Sequence, residues 1–228
     1  MKNKIINIAT VAEVATALKE LKDKMIFVGG AVVSLYTDDP SADEIRPTAD
    51  VDLAINLINY SSWSQMQERL AELGFSPDPN GHAICSYLYN NISVDIMPSE
   101  DGPIGPANRW YKEGFQNLWT EEIEGVAISI LSPPCFLATK FEAFKDRGKD
   151  YRTSHDIEDI IYVLDNRTTI VEEILEETES IQQFLKEEIN KVFKNASFLE
   201  IISCHIHPLI LEDRLPILID KIENIINH

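Results

Sequence analysis

Apolar residues recur along this chain with two spacings, and the change from one to the other predicts the order of its elements. Alternating apolar and polar positions predict strands over residues 51–57 and on both sides of Asn90-Asn91. Those two asparagines suit a hairpin turn, because Asn tolerates positive φ. Short apolar runs predict two more strands, over residues 25–28 and 126–131.

Helical spacing predicts the remaining elements. Thr10 to Glu13 fits a capping box ahead of the first apolar stripe, so we expect a helix to begin there. A short helix is expected over residues 31–36, and a long acidic helix from about Thr169. Other helices are predicted to begin near Ser61, Ser132, Thr153 and Glu212.

The predicted strands end near residue 131, and the chain is helical almost throughout beyond that point. This order indicates an α+β fold, with a small mixed sheet followed by a helical part. We therefore divide the chain into an α/β core over residues 1–131 and a helical domain over residues 132–228 that closes a cleft.

Composition narrows the class of protein. The 44% of hydrophobic and 25% of charged residues are ordinary for a globular protein, and no apolar run approaches the length of a membrane helix. The N-terminal residues lack the apolar stretch of a secretory signal, so we expect a cytoplasmic protein with no membrane partner. Three dispersed cysteines suggest neither a zinc site nor a disulfide framework.

The formal net charge of −18 argues against nonspecific nucleic-acid binding, because phosphates would be repelled. It leaves room for a local basic groove, and it suits a site that collects divalent cations. A run of basic residues follows residue 140 and forms the candidate groove, namely Lys145, Arg147, Lys149 and Arg152. Alternatively, this basic run is simply the solvated end of a helix.

Asp50 and Asp52 are two residues apart on a predicted strand, so their carboxylates share one face. Such a pair repels unless a cation lies between its members, and Mg²⁺ prefers oxygen ligands. Asp95, in a similar alternation, can add a third carboxylate from a neighbouring strand. Taken alone, Asp-x-Asp is better explained as a solvated strand edge.

Gly29-Gly30 lies between a predicted strand and a predicted helix. Glycine lets backbone N–H groups approach a phosphate closely, and the start of a helix adds partial positive charge. A triphosphate held there would lie near a metal on Asp50 and Asp52. Alone, however, a Gly-Gly pair often does no more than end a strand.

The combined order of these features resembles the polymerase-β-like nucleotidyltransferases. More closely, it resembles the AbiEii-type group, in which a Gly-Gly turn precedes an Arg-x-Ser/Thr-x-Asp-Ile/Val-Asp segment. Arg46, Thr48, Asp50 and Asp52 match that segment. The resemblance implies that Asp50, Asp52 and Asp95 hold Mg²⁺ or Mn²⁺, and that Arg46 and Thr48 join Gly29-Gly30 in binding an NTP.

A second patch supports the same resemblance. The group carries a helical lysine, then a basic pair, then an Asp-x-x-Asp helix start, which correspond here to Lys140, Arg147, Lys149, Asp156 and Asp159. Lys140 falls within an apolar helix stripe. It either extends past the edge of that stripe to solvent, or acts as a catalytic cation that also contacts the nucleotide. Asp156 is also expected to cap its helix.

The implied reaction moves a nucleoside monophosphate from an NTP to an acceptor hydroxyl, with Asp95 helping to deprotonate the acceptor. RNA is one candidate acceptor, which Lys145, Arg147 and Lys149 would bind. The resemblance also implies a possible role as a toxin that is paired with an antitoxin protein. Two alternatives stay open. One is a small-molecule nucleotidyltransferase of the antibiotic-modifying kind, and the other is a catalytically silent protein that binds a nucleotide or a partner.

Overall fold

The computed structural model describes residues 2–57, 60–81, 84–102, 105–148 and 150–228. The chain forms two compact units. The first comprises Met1–Leu35 and Glu44–Ser132, and the second comprises Tyr36–Asp43 and Pro133–His228. A short segment near residue 40 therefore belongs with the helical unit, although its sequence neighbours on both sides belong with the first.

A mixed sheet, seven-stranded over the described residues, forms the centre of the first unit. Its strands are β1 (Met25–Val28), β2 (Asp50–Ile55), β3 (Ser76–Pro77), β4 (Ser86–Tyr89), β5 (Ile92–Pro98), β6 (Leu118–Ile123) and β7 (Val126–Leu131). They lie in the order β3-β4-β5-β2-β1-β7-β6. The β2–β5 and β1–β7 pairs are parallel, and the other four are antiparallel. The predicted α+β class with a mixed sheet is confirmed.

Two tight turns shape the antiparallel part of this sheet. Asn90 and Asn91 join β4 to β5 with φ values of 48° and 65°, which confirms the predicted hairpin. Glu124 and Gly125 join β6 to β7 in the same way, with φ values of 48° and 80°. No apolar pattern predicts the two-residue strand β3 or the edge strand β6, whose exposed and partly buried residues alternate around two adjacent glutamates.

The first helix, α1 (Lys2–Leu18), begins eight residues earlier than predicted. Thr10 lies inside it and donates its hydroxyl to the Ile6 carbonyl at 2.9 Å, so the predicted capping box is wrong. The extra turns are anchored by Asn3 and Asn7, which bond to backbone about forty residues away. A local pattern could not reveal that support.

Further helices complete the first unit. A 3₁₀ helix spans Lys19–Lys24, and another spans Gly30–Tyr36, where the sequence predicted a helix of unspecified type. The α-helices are α2 (Tyr60–Glu72) and α3 (Tyr111–Gly114). Among the described residues, no helix is both long enough and apolar enough to cross a membrane.

The second unit is helical. It contains α4 (Pro133–Arg147), α5 (His155–Asn166), α6 (Ile170–Glu176), α7 (Glu179–Phe193), α8 (Phe198–His205) and α9 (Leu211–Asn227). Ser154 caps α5 by accepting bonds from the Asp156 and Ile157 amides, so the cap is Ser154 and not Asp156 as expected.

The single acidic helix predicted from Thr169 is instead divided into α6 and α7. The side-chain amide of Gln182 donates to the carbonyls of Leu175 and Glu177, at 2.8 and 2.7 Å. These bonds satisfy carbonyl groups at the end of α6 that a continuous helix would have paired internally. The break therefore depends on a side chain several residues further along.

Arg214 on α9 holds the 36–43 segment within the second unit. Its guanidinium donates to Asp39 Oδ2 at 2.6 Å and to Asp165 Oδ1, at the end of α5, at 2.9 Å. Bonds from Ser41, together with the one from Arg214, lower the pKa of Asp39 to about 2. The ionised form of Asp39 therefore stabilises the folded state.

We expect Asp39→Asn to lower the free energy of unfolding at pH 7 by about 2 kcal/mol. The folded pKa of Asp39 lies below its ordinary 3.8, so the contribution is complete above about pH 4 and is lost as the pH falls towards 2. Urea unfolding at pH 7, 5 and 3 measures the free energy of unfolding of wild type and variant. The difference between the two free energies should be smallest at pH 3. Asp23→Asn, at an exposed carboxylate, is the control, and a gap that widens towards pH 3 would contradict the prediction.

Candidate metal and nucleotide site

Three carboxylates meet on one face of the central sheet. Asp50 and Asp52 lie two residues apart on β2, and Asp95 lies directly opposite Asp52 on the parallel strand β5. One carboxylate oxygen from each lies within 4.8 Å of the others. The structure thus brings together the three residues that the sequence proposed as metal ligands.

The environment of these carboxylates fits a divalent cation. Asp50 is exposed, whereas Asp52 and Asp95 are half-buried. Asp95 Oδ1 is itself buried and accepts no hydrogen bond from the described residues. A buried carboxylate oxygen without a donor is costly, and three neighbouring negative charges repel one another. An all-oxygen set of this kind suits Mg²⁺ or Mn²⁺.

The Gly29-Gly30 turn packs directly against this cluster. Val28, the last residue of β1, pairs with Asp52, and Gly29 follows with a φ of +73°. A Cβ at Gly29 would overlap Asp52 Oδ2. Position 29 therefore requires glycine for two reasons: its backbone has a positive φ, and the Asp52 carboxylate occupies the space that a Cβ would fill.

Gly30 makes the corresponding contact with the segment that leads into β2. A Cβ built there would lie 2.6 Å from Arg46 Nη2 and 2.9 Å from Thr48 Cγ2. The predicted nucleotide-binding residues of the first unit are consequently neighbours of one another and, through Gly29, of Asp52. Their role in binding a nucleotide stays a prediction.

Two further residues near this site belong to no motif in the sequence. Asn7 is 2% exposed and bonds to the backbone on both sides of Pro47. Ser86 on β4 is buried directly opposite Asp95, on the same face as the carboxylates. Only the strand register reveals Ser86. The one local signal for Asn7 is a polar residue among the isoleucines of α1.

Lys140 lies inside the second unit and is 6% exposed. Its amine is 2.7 Å from Asp159 Oδ2 and 3.7 Å from Asp156 Oδ1. Arg147 also donates two bonds to Asp156, at 2.8 and 3.0 Å. The interpretation of Lys140 as a lysine reaching past the stripe to solvent is wrong, because it is buried in this ion network. Its catalytic and nucleotide-binding roles stay predictions.

The predicted acceptor groove contains cations that already face carboxylates. Lys145 Nζ lies 3.5 Å from Glu142 and 3.9 Å from Glu188. Arg152 bonds to Asp150 and Glu200. Lys149 lies outside the described residues. Acceptor binding by Lys145, Arg147 and Lys149 stays a prediction.

No family model and no curated protein sequence matches this chain. Among solved structures, it is similar to an antigenic nucleotidyltransferase-like protein from Paracoccidioides brasiliensis, with 18% identity and a TM-score of 0.49. The match covers 88% of this chain and 93% of that one. It is also similar to a proposed nucleotidyltransferase from H. pylori, with 12% identity and a TM-score of 0.42, over 99% and 93% of the two chains. At these values a functional assignment depends on the residues of the site.

We expect Gly29→Ala to abolish binding of Mn²⁺ at micromolar to millimolar concentration, because the added methyl group displaces the Asp52 carboxylate. Gly125→Ala is the matched control, since Gly125 has a similar φ of +80° and nothing lies within 4 Å of a Cβ built there. Both variants should lose roughly 1–2 kcal/mol of stability from the backbone conformation. Electron paramagnetic resonance of free Mn²⁺ measures binding, and equal affinity in the two variants would exclude Asp52 as a ligand.

Proposed function

We propose that this protein is a metal-dependent nucleotidyltransferase that moves a nucleoside monophosphate from an NTP to an acceptor hydroxyl. The observation that carries the proposal is the cluster of Asp50, Asp52 and Asp95, with the Gly29 backbone packed against one of its members. A carboxylate cluster supports many metal reactions. The neighbouring glycine turn and Arg46 favour a substrate that carries phosphates.

In this proposal Asp50, Asp52 and Asp95 hold one or two Mg²⁺ or Mn²⁺ ions. When bound, such an ion offsets negative charge on the attacking and leaving oxygens. Asp95 has a second task, because its buried Oδ1 has no hydrogen-bond donor among the described residues. We assign Asp95 the role of the general base that takes the proton from the acceptor hydroxyl.

The phosphate side of the site is assigned to the first unit. The backbone N–H groups of Gly29 and Gly30 are suited to contact phosphate oxygens, because the missing side chains permit close approach. Arg46 presents its guanidinium against Gly30, where it would neutralise part of the triphosphate charge. Thr48 completes this wall, with its Cγ2 methyl group 2.9 Å from the position of a Cβ built at Gly30.

The bonds in the proposed reaction balance without an additional reactant. The acceptor oxygen forms a bond to the α-phosphorus as its proton passes to Asp95. The bond between the α-phosphorus and the bridging oxygen breaks, and pyrophosphate leaves with the electron pair. The products are a phosphodiester on the acceptor and pyrophosphate.

We expect Asp50→Asn and Asp52→Asn each to reduce transfer by at least about a hundredfold, because each replaces a negatively charged metal ligand with a neutral one. Their stability should equal or exceed that of wild type, since the mutual repulsion of the carboxylates is relieved. The measurement is transfer of label from α-labelled NTP with Mg²⁺, alongside thermal unfolding. Glu122→Gln, at an exposed carboxylate on β6, is the control. Full turnover in either Asp variant would rule out this site, and Mn²⁺ binding without any transfer in wild type would favour the silent binding protein.

The acceptor is the open part of the proposal. An RNA acceptor, with a toxin role and an antitoxin partner, requires cations that are free to follow a phosphate backbone. Each unit is acidic by itself, with nine Lys and Arg against sixteen Asp and Glu in the first, and eleven against twenty-two in the second. Lys145, Arg147 and Arg152 also contact carboxylates. These observations favour the alternative of a small-molecule acceptor.

We therefore expect label from α-labelled NTP to enter a small-molecule cell fraction and not purified total RNA. Lys145→Ala combined with Lys149→Ala should leave that transfer unchanged between 50 and 300 mM salt. Arg147 is kept in this variant, because its loss would leave Asp156 with fewer donors. Labelled RNA, with a salt dependence that flattens in the double variant, would establish the polyanionic acceptor instead.

A further inference from the structure

We propose that Asn7 is a positioning residue for the phosphate side of the site, because its side-chain amide fixes the backbone of Arg46, Pro47 and Thr48. Its significance for catalysis depends on the proposed function, whereas the structural constraint does not. Asn7 lies near the start of α1, a region that no sequence motif connects with the site.

The Asn7 amide pairs with two backbone groups that flank a proline. Its Nδ2 donates to the Arg46 carbonyl at 3.1 Å, and its Oδ1 accepts from the Thr48 N–H at 3.2 Å. Pro47 lies between them and has no N–H to donate. The side chain thus supplies one donor and one acceptor, as a neighbouring strand would. Only one orientation of the amide satisfies both groups.

This support is needed because residues 42–48 belong to no helix or strand. Backbone groups in such a segment require partners outside the regular ladders. Asn3 contributes a third bond, from its Nδ2 to the Ile45 carbonyl at 3.0 Å, and Ile45 is itself 5% exposed. The first turns of α1 therefore bond to three of the four residues 45–48 ahead of β2, and Asn7 supplies two of these bonds from a buried position.

The position of this segment determines where two predicted nucleotide-binding side chains lie. Arg46 and Thr48 both approach Gly30, and Asp50 begins β2 two residues later. Reacting groups lose efficiency steeply when misplaced, and a shift of about 1 Å can reduce turnover by roughly a hundredfold. Releasing the Asn7 amide should thus disturb NTP binding, whereas the β2–β5 ladder keeps the carboxylates in register.

The test compares Asn7→Ala with Thr10→Ala in the full-length protein. Thr10 lies on the same helix, and its hydroxyl donates to the Ile6 carbonyl of that helix at 2.9 Å. Three quantities are measured: hydrogen exchange of the Thr48 amide, the KM for NTP with Mg²⁺, and Mn²⁺ binding without nucleotide. Asn3→Ala is a milder second variant that keeps the comparison possible if Asn7→Ala does not fold.

We expect Asn7→Ala to speed exchange at Thr48 on the order of tenfold, since one hydrogen bond is lost. Its KM for NTP should rise at least about tenfold. Mn²⁺ binding should match wild type, Asn3→Ala should show smaller changes in the same direction, and Thr10→Ala should show none.

Unchanged exchange at Thr48 would overturn the proposal, as would faster exchange with an unchanged KM. A loss of Mn²⁺ binding in Asn7→Ala would also overturn it, because the effect would then be general to the unit. If wild type transfers no nucleotide at all, the proposed function fails independently. Binding of a non-hydrolysable NTP then replaces KM, and equal affinity in wild type and Asn7→Ala overturns the positioning role.

Discussion

The parallel pairing of β2 with β5 is the constraint on which the candidate site depends. It sets Asp52 opposite Asp95, and the two-residue period of a strand then places Asp50 on the same face. A shift of one residue in this register would send Asp95 to the opposite face of the sheet. The arrangement concentrates negative charge at the centre of the sheet, which hydrophobic packing alone would not favour.

Close backbone packing makes this concentration of charge possible. Gly29 leaves room for Asp52, and Gly30 leaves room for Arg46 and Thr48. Because β1 ends with Val28 opposite Asp52, the turn cannot move away from the carboxylate without breaking the β1–β2 ladder. Asn7 imposes a further constraint from the side of α1. The site is thus built from short-range contacts among elements that are distant in sequence.

The sequence predicted those parts of the structure whose cause is local. Asn90-Asn91 suffices for the hairpin turn, the helical apolar spacing after Thr153 for α5, and the alternation around Asp50 and Asp52 for β2. The parts that were missed have distant causes. The first turns of α1 depend on bonds to residues 45–48, and the break between α6 and α7 depends on Gln182. The proximity of Asp95 was expected, but its register with Asp52 required the folded sheet.

Buried charges are paired in the second unit, whereas a buried carboxylate oxygen in the first unit has no donor among the described residues. This difference determines what a substitution of Lys140 can show. In the second unit Lys140 and Arg147 face Asp156 and Asp159, so two cations balance two carboxylates. Removing one member of such a network leaves a buried charge uncompensated, at a cost of about 3–5 kcal/mol. A loss of activity in Lys140→Ala would therefore report on folding as much as on chemistry. At Asp95, by contrast, a buried oxygen has no donor among the described residues. A substitution of Asp95 removes this unfavourable burial and should not destabilise the fold. Its effect on turnover is therefore more direct evidence of function than the effect of Lys140→Ala.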